Sequence, residues 1–188
     1  RKNLIINGGF DVWQRGTSID TSTSNWGTYT ADRWGCFYDN NRVTKQSATV
    51  GGDLVNTLRS EVITTADNLY LYHKVENGSH LVSGKPVSLS FWAKASDGDM
   101  QRRVRLRFHD SASNGGSVEV NIDTDTDSTF DTEWVKYTYT FSPTDTSMNA
   151  TRDLMIIFDC LTSQSVGKYI EIANVQLELG SVATDFEH

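Results

Sequence analysis

The residues of this sequence that suggest chemistry are aromatic and basic side chains in the outward phase of alternating segments. Successive side chains of a β-strand point to opposite faces, so a residue out of phase with the apolar ones is displayed on the surface. Aromatic rings stack on the apolar C–H faces of sugars, and guanidinium groups hydrogen-bond hydroxyls or carboxylates. If they share one sheet face, the following residues are predicted to form a ligand-binding platform: Tyr70, Tyr72, Trp92, Arg103, Arg105, Arg107 and Trp134.

These residues also have an ordinary structural interpretation. A loop over Trp92 would cover its ring. The arginine row would pair with nearby acids such as Asp99 or Glu119, as surface charges commonly do at little energetic gain. The sequence leaves both interpretations open.

Three alternate aspartates suggest a calcium loop at first sight: Asp123, Asp125 and Asp127. An EF-hand loop starting at the first of them would need glycine at position 128 and glutamate at position 134. This chain has Ser128 and Trp134 there. The series therefore favours a solvated acidic turn.

No segment of the sequence has the spacing of a catalytic site. The four histidines show neither the i, i+4 spacing of a zinc helix nor a neighbouring cysteine pair: His73, His80, His109 and His188. A Gly-x-Ser-x-Gly elbow and a phosphate-binding glycine loop are both missing. A pair of carboxylates that meets only in space stays open. The sequence predicts a protein that is not an enzyme.

Composition indicates one domain, residues 1–188, with a sizeable core. The formal net charge of −7 argues against nucleic acid as the main partner, since phosphate contacts need a basic patch. No apolar run approaches the roughly 20 residues that span a bilayer, so no membrane insertion is expected. A chain of this size does not need a disulfide, and Cys36 and Cys160 are expected to be thiols. Because it begins at Arg1 without an initiator Met, we expect a piece excised from a longer chain.

Regular alternation runs through much of the chain and defines its strands. Apolar residues alternate with others over 69–75, 87–93, 103–109 and 135–141, whereas 154–160 is almost continuously apolar and fits a strand covered on both sides. We count about ten strands and no helix of more than a turn or two, which predicts an all-β jelly-roll β-sandwich of two antiparallel sheets.

The last predicted strand, residues 168–180, contains an extra residue. Its apolar positions change parity between Ile172 and Val175, which predicts a β-bulge near Ala173 and Asn174. The bulge would turn the side chain of Asn174 inward.

Residues 3–14 carry short β-branched runs broken by a glycine pair and are predicted to form a strand. We expect this strand to pair with the last one, so that the N-terminal and C-terminal strands lie in the same sheet.

Several segments resemble bacteriophage tail-fibre and tail-associated receptor-binding proteins. The matching segments are residues 3–16, 29–34, 90–92, 133–134 and 175–187. Those proteins look like carbohydrate-binding modules of the calcium-dependent jelly-roll kind. The resemblance implies a virion protein of a tail or surface appendage, synthesised in the host cytoplasm, that adheres to a surface as part of a homotrimer. It implies no particular ligand.

The same resemblance implies a structural calcium ion where the two ends of the chain meet. Related modules use a carboxylate shortly after the first Asn-Gly-like turn and an aspartate in the last strand, and Asp11 and Asn174 match these positions. Asparagine keeps an oxygen but removes a full charge, so the affinity should fall or the site be lost. The alternative is that Asn174 hydrogen-bonds the main chain exposed by the bulge.

Together these observations favour a non-catalytic adhesion module of a phage tail fibre or appendage, with host cell-surface glycans and other virion proteins as partners. The alternative is a structural virion domain, such as a capsid decoration, a fibre spacer or an assembly protein, that binds only other virion proteins.

Overall fold

Two six-stranded antiparallel sheets make up the described part of the chain. The structure is a computed structural model that describes residues 3–21, 27–37, 40–76, 78–110, 117–123, 127–143 and 152–187. The front sheet has the order β1 (Ser18–Asp20), β4 (Asn41–Val50), β5 (Asp53–Val62), β12 (Tyr169–Leu179), β7 (Val87–Ala95) and β10 (Val135–Phe141). The back sheet has the order β2 (Thr28–Tyr29), β3 (Trp34–Cys36), β6 (Tyr70–Val75), β11 (Arg152–Cys160), β8 (Arg102–Asp110) and β9 (Ser117–Asn121). One helical turn, α1 (Ser79–Val82), precedes β7. None of the described segments forms a helix with the length and apolar character of a membrane span.

The predicted all-β sandwich of two antiparallel sheets is confirmed. The described residues form twelve strands, where the alternation predicted about ten. The additional strands are short. β1 has three residues, too few for a period of two to be recognised, and the strand character of residues 28–38 divides between two short strands, β2 and β3.

The core lies between the sheets and is built from the inward phase of the alternation. On β6, Leu71 and His73 point inward and are fully buried. Phe91 of the front sheet and Phe158 of the back sheet meet edge to face, with ring centroids 4.7 Å apart. Burying an aromatic side chain of this size stabilises the fold by about 1.5–3 kcal/mol.

The apolar run of β11 is covered on both sides, as predicted. Leu154, Ile156 and Phe158 belong to the core between the sheets. Met155 and Ile157 belong to a second apolar cluster on the outer surface of the back sheet.

Residues 3–10 lie between the two sheets and tie them together. The amide of Leu4 donates to the carbonyl of Leu177 on β12 of the front sheet, at 2.8 Å. On the other side, His73 Nε2 of the back sheet lies 3.2 Å from the amide nitrogen and 3.1 Å from the carbonyl oxygen of Ile6. The two ends of the chain therefore lie together. The first strand of the structure, β1, shares the front sheet with β12, but it pairs with β4 and is not the strand over residues 3–14 that we expected beside β12.

The predicted strand over residues 3–14 is wrong in its conformation. Asn7 and Phe10 both have a φ of 57°, which is left-handed and incompatible with an extended strand. Gly8 accepts a hydrogen bond from the Val175 amide at 2.9 Å, and a Cβ at this glycine would collide with the Val175 carbonyl. The segment therefore turns between the sheets and does not extend a ladder.

β12 contains the predicted bulge. Its register against β7 shifts after Ala173, and Asn174 has a φ of 48°. The main chain at the bulge is bonded by Asn3: its side-chain amide donates to the carbonyl of Val175 at 3.2 Å, and its Oδ1 accepts from the amide of Leu177 at 3.1 Å. The role that we considered for Asn174 as an alternative to metal binding is thus performed by Asn3.

Cys36 and Cys160 are free thiols in the structure, and each is 1% exposed. Burial raises the pKa of Cys36 to about 12, so its reactive thiolate form is suppressed.

The acidic series is only partly described, because Asp125 lies outside the described residues. Asp123 is not solvated as predicted. Its Oδ2 accepts from Arg102 Nε at 2.7 Å and from the Tyr139 hydroxyl at 3.0 Å, and its side chain is 5% exposed. This contact closes the sandwich beside β10.

Candidate functional site

The seven predicted ligand-binding residues divide between the two outer surfaces of the sandwich. Trp92 on β7 and Trp134, which directly precedes β10, lie on the outer surface of the front sheet, called the front face. The other five lie on β6 and β8, on the outer surface of the back sheet, called the back face: Tyr70, Tyr72, Arg103, Arg105 and Arg107. The single platform therefore does not form, because its strands belong to different sheets.

The two tyrosines of the back face are not available for stacking. Tyr70 is 4% exposed and Tyr72 is 5% exposed. The ring of Phe37 packs on both of them, with centroid distances of 4.9 and 4.6 Å, and Met155 and Ile157 complete the cluster. These residues point away from the core, as predicted, but form a covered apolar layer of their own.

The arginines of the back face are engaged with a buried acid. Arg103 donates to Oδ1 and Oδ2 of Asp159, at 2.8 and 2.7 Å. Arg105 Nη2 also donates to Oδ2, at 2.5 Å. Asp159 is 1% exposed. Pairing with acids was the alternative interpretation of the arginine row. The acid that pairs with Arg103 and Arg105 is Asp159 and not Asp99, whose carboxylate lies 3.8 Å from Lys168 Nζ.

The remaining predicted partners on this face are described less fully. Arg107 is half-buried in the same row as Arg103 and Arg105, so its guanidinium is not displayed as a fully open group. The side chain of Glu119 lies outside the described residues.

The front face contains a groove of about 660 Å³ with Trp92 in its lining. Three separate parts of the chain surround Trp92: the β4–β5 hairpin, the bulge of β12 and the C-terminal tail. Further residues that line the groove include Asp11, Asp53, Leu54, Ser90, Lys136, Asn174, Asp185 and Phe186. The groove therefore opens on the front face. It combines an aromatic wall with a few polar groups, as ligand sites usually do.

The β4–β5 hairpin closes one side of the groove. Its two loop residues, Gly51 and Gly52, have φ values of 63° and 102°, which suits a tight two-residue turn. Gly51 lies against the indole of Trp92, where an added Cβ would be 2.9 Å from Cζ2. The hairpin tip therefore holds the ring from one side, and Leu54 beside it is 79% exposed.

The C-terminal tail closes another side. Gln176 and Glu178 point outward from β12, yet they are 0% and 1% exposed because residues 181–187 fold back over them. The Thr184 amide donates to Glu178 Oε2 at 3.0 Å, and the Glu187 amide donates to Gln176 Oε1 at 2.8 Å. These bonds fix the tail so that Asp185 and Phe186 form a wall of the groove.

Two lysines and two tryptophans lie side by side on the front face. The register of β10 and β7 pairs Lys136 with Trp92, and Lys94 Nζ lies 5.2 Å from the ring centroid of Trp134. Because residues two apart on a strand share a face, the four form a square with indoles on one diagonal and ammonium groups on the other. We call these four residues the indole–lysine square.

A buried ion pair lies next to the square. Arg59 donates through Nε and Nη2 to Glu171 Oε2, at 3.0 and 2.8 Å, and the Thr57 hydroxyl donates to Oε1 at 2.5 Å. The guanidinium of Arg59 also lies 4.0 Å from the ring centroid of Tyr169. Glu171 is 1% exposed, so its charge is matched within the protein.

The two predicted metal ligands, Asp11 and Asn174, both line the groove. The prediction that the bulge turns Asn174 inward is wrong, because its side chain lies at the outer surface of the front sheet. Asn174 Oδ1 is buried and has no hydrogen-bond partner among the described residues, which leaves it free for a cation. Asp11 Oδ1 accepts from the Asn56 amide at 2.8 Å. Nowhere in the described ranges do three or more His, Cys, Asp or Glu side chains converge as a metal site. A calcium ion here would thus need main-chain oxygens besides one carboxylate and one amide oxygen.

Only one of the four histidines has a described side chain. His188 and the side chains of His80 and His109 lie outside the described part of the structure. His73 is in the core, with its ring edge-on to Trp34, and burial lowers its pKa to about 4. It belongs to the packing of the fold and not to the groove.

Sequence reasoning missed several residues of the front face. Lys94 and Lys136 are in the outward phase of β7 and β10, so alternation did contain a signal for them. Arg59 on β5 and Tyr169 on β12 also lie in the outward phase of their strands. Nothing in the local pattern indicates that the hairpin and the tail meet around Trp92, because that contact joins segments far apart in the sequence.

A family model described as a carbohydrate binding domain, CBM_4_9, matches residues 2–156. This is well over half of the chain. No curated protein shows a significant match to the sequence.

Several solved structures have a similar fold at low sequence identity. The tailspike protein 4 enzymatically active domain of bacteriophage CBA120 has a TM-score of 0.56 and 18% identity, over 95% of this chain and 21% of that chain. The CBM22-1 xylan-binding domain of Paenibacillus barcinonensis has a TM-score of 0.52 and 15% identity, over 88% of this chain and 94% of that one. The CBM22-1–GH10 modules of a Clostridium thermocellum xylanase have a TM-score of 0.56 and 14% identity, over 92% and 30%. These likenesses show the fold, and the chain spans only about a fifth of the tailspike domain.

Proposed function

Because the chain belongs to the carbohydrate binding domain family CBM_4_9, we propose that it binds glycans in the groove of the front face. The observation that carries the proposal is the groove of about 660 Å³ with the indole of Trp92 in its lining. Its volume falls within the range of about 300–1,000 Å³ that is usual for ligand pockets.

Binding would combine stacking with hydrogen bonds. The apolar C–H face of a sugar ring would stack on Trp92, and its hydroxyl groups would donate to the exposed carboxylates of Asp53 and Asp185. Each site would bind weakly, and several copies acting together would raise the apparent affinity.

A glycan array tests this function directly. The wild-type protein is expected to retain a subset of glycans, and Trp92→Ala is expected to abolish that retention while circular dichroism shows an unchanged fold. Tyr29→Ala is the matched control, because Tyr29 is an aromatic residue, 50% exposed, on β2 of the back sheet. Equal loss of binding in both variants would contradict the proposed site.

The same array separates adhesion from a purely structural role. Complete silence across neutral and charged glycans would favour the alternative of a capsid decoration, fibre spacer or assembly protein that binds other virion proteins.

We also propose that the protein binds glycans without cleaving them. Incubation with capsular polysaccharide or lipopolysaccharide glycan is expected to release no reducing ends. A steady increase in reducing ends that depends on an intact carboxylate of the groove, such as Asp185, would overturn this part of the proposal.

The finer assignment is a virion appendage, a tail fibre or a related part, in which the domain is a homotrimer that contacts the host surface. The sequence resemblance to tail-fibre proteins supports it, and the tailspike domain supplies a phage protein of similar fold. Light scattering of the protein is expected to give three copies, and an antiserum against it is expected to block adsorption of the virion to its host.

A structural calcium ion is a further part of the proposal. The Asp11 carboxylate, Asn174 Oδ1 and main-chain carbonyls would hold it, and the buried unbonded oxygen of Asn174 supports this choice. Millimolar calcium is expected to raise the melting temperature relative to EDTA. Asn174→Asp should enlarge the increase because it restores a full charge.

The charge control for the calcium experiment is Thr49→Asp, which adds a carboxylate to an exposed hairpin position. Identical melting temperatures in calcium and EDTA for both the wild type and Asn174→Asp would contradict the ion site.

A further inference from the structure

We propose that the indole–lysine square is a subsite for an acidic sugar unit, a pyranose ring that carries a carboxylate or another anionic group. The inference rests on the proposed glycan-binding function and names the ligand class of the same face. It goes beyond the family assignment, which specifies carbohydrate and no charge.

The arrangement of the square provides both kinds of contact that such a unit needs. Diagonal neighbours on adjacent strands lie about 7–8 Å apart, so Trp92 and Trp134 are separated by about the width of a sugar ring. The two ammonium groups, of Lys94 and Lys136, lie on the other diagonal. A pyranose that rests on either indole therefore has a lysine beside one of its edges.

Both ammonium groups lack an acidic partner in the part of the chain that the structure describes. Neither Lys94 nor Lys136 forms an ion pair with any residue that the structure describes. The nearest buried acid, Glu171, is opposite Lys94 in the register of β12 and β7 but is already bonded by Arg59 and Thr57. The two lysines thus form a local positive patch among the described residues of a chain whose net charge is −7.

The contact of Lys94 with Trp134 also holds the ammonium group in position before a ligand binds. A cation that rests over an indole face is held in place and loses less side-chain freedom when it binds an anion. Lys94 is half-buried, so an acidic group that reaches it is partly shielded from solvent, and the attraction is stronger than at an open surface.

Charges on the front face also give the ligand a direction. Lys136 lines the groove together with Trp92, so the square and the groove are continuous. Three aspartates, Asp11, Asp53 and Asp185, also line that groove. An anionic group is repelled from the aspartates and attracted to the lysines, so an acidic unit should occupy the square while an uncharged neighbour occupies the groove.

The experiment compares uronate polymers with their own carboxyl-reduced forms, which keep the ring faces and lose the charge. Polygalacturonate, alginate and hyaluronate are each tested in both forms by affinity electrophoresis or calorimetry. Wild-type protein is expected to bind at least one uronate polymer roughly tenfold more tightly than its reduced form, since hydrogen bonds to charged groups are the strong ones. This preference should shrink as salt is added.

Lysine variants locate the effect. Lys94→Gln and Lys136→Gln are each expected to remove most of the preference, and the double variant should bind both forms of the polymer equally. Lys85→Gln is the matched control, because Lys85 is an exposed lysine just before β7 and outside the square. Its preference for the uronate form should equal that of the wild type.

The outcomes distinguish the inference from the proposed function. Tight binding of the reduced polymers, with no effect of Lys94→Gln or Lys136→Gln, would overturn the acidic subsite and leave glycan binding intact. Failure to bind any polymer in either form, together with a silent glycan array, would overturn both.

Discussion

The front and back faces of this sandwich have similar outward residues but differ in whether those residues are available to a ligand. Both display aromatic rings, cations and a buried carboxylate. On the back face Asp159 is held by two arginines and the tyrosines lie under Phe37, so the groups satisfy one another. On the front face the square keeps two lysines without acidic partners beside two half-buried indoles, within the described residues.

This difference teaches that an outward position is not the same as an available one. What decides availability is the residue across the neighbouring strand. On the back face β11 brings Asp159 beside the arginines of β8, whereas on the front face β10 brings Lys136 beside Trp92 and no acid. We therefore expect the back face to contribute stability and the front face to contribute binding.

Removal of the buried acid on the back face should have the largest effect. Asp159→Ala is expected to lower the free energy of unfolding by about 3–5 kcal/mol, because it leaves the nearly buried Arg105 without its carboxylate. Urea unfolding measures the loss, and glycan retention by the folded protein should be unchanged.

The control for that variant is Asp20→Ala. Asp20 is paired with Arg42 at 2.6 Å, but the pair is about half-exposed, so its loss should change the free energy of unfolding only slightly. Similar losses for the two variants, or a loss of glycan retention in Asp159→Ala, would remove the distinction between the faces.

Acidic pH should weaken the back sheet through His73. Burial lowers its folded-state pKa to about 4, whereas the unfolded chain has the ordinary value of 6.5. Between these values the unfolded state binds more protons than the folded state. The contribution of His73 to the free energy of unfolding is therefore fully present above pH 6.5 and is lost as the pH approaches 4, by about 3 kcal/mol. His73→Gln should reduce this loss when the free energy of unfolding is compared at pH 7 and pH 5.

The front face should not share this response. His73 lies in the core on β6 of the back sheet and does not contribute to the front face. Retention of an acidic glycan should therefore persist at pH 5 in the fraction that remains folded. A parallel loss of glycan retention and stability in His73→Gln would show that the two faces are coupled.

The smallest predicted effect concerns the hairpin tip. Gly51→Ala and Gly52→Ala both place a side chain at positive φ, so each should cost about 1–2 kcal/mol. Only the Cβ at Gly51 meets Trp92, while nothing lies within 4 Å of one at Gly52. Gly51→Ala should therefore lower the affinity for glycan about threefold more than Gly52→Ala does. This corresponds to a difference of less than about 1 kcal/mol in binding free energy.

The back sheet offers the counterpart of this test. A Cβ at Gly35 would collide with the ring of Tyr72. Gly35→Ala should thus lower the free energy of unfolding without changing the glycan retention of the folded protein. The comparison between the faces would fail if Gly35→Ala affected binding more than Gly51→Ala does.

The amino-acid sequence alone determined which residues point inward and outward along the longer strands and where β12 bulges. These features follow from a period of two and from parity changes, which are local. The tertiary structure alone decided that Trp92 and Tyr72 lie on opposite faces, that Asn3 bonds the bulge, and that the hairpin and the tail enclose a groove. Those outcomes depend on which strands pair across long separations, and neighbouring residues in the sequence carry no record of that pairing.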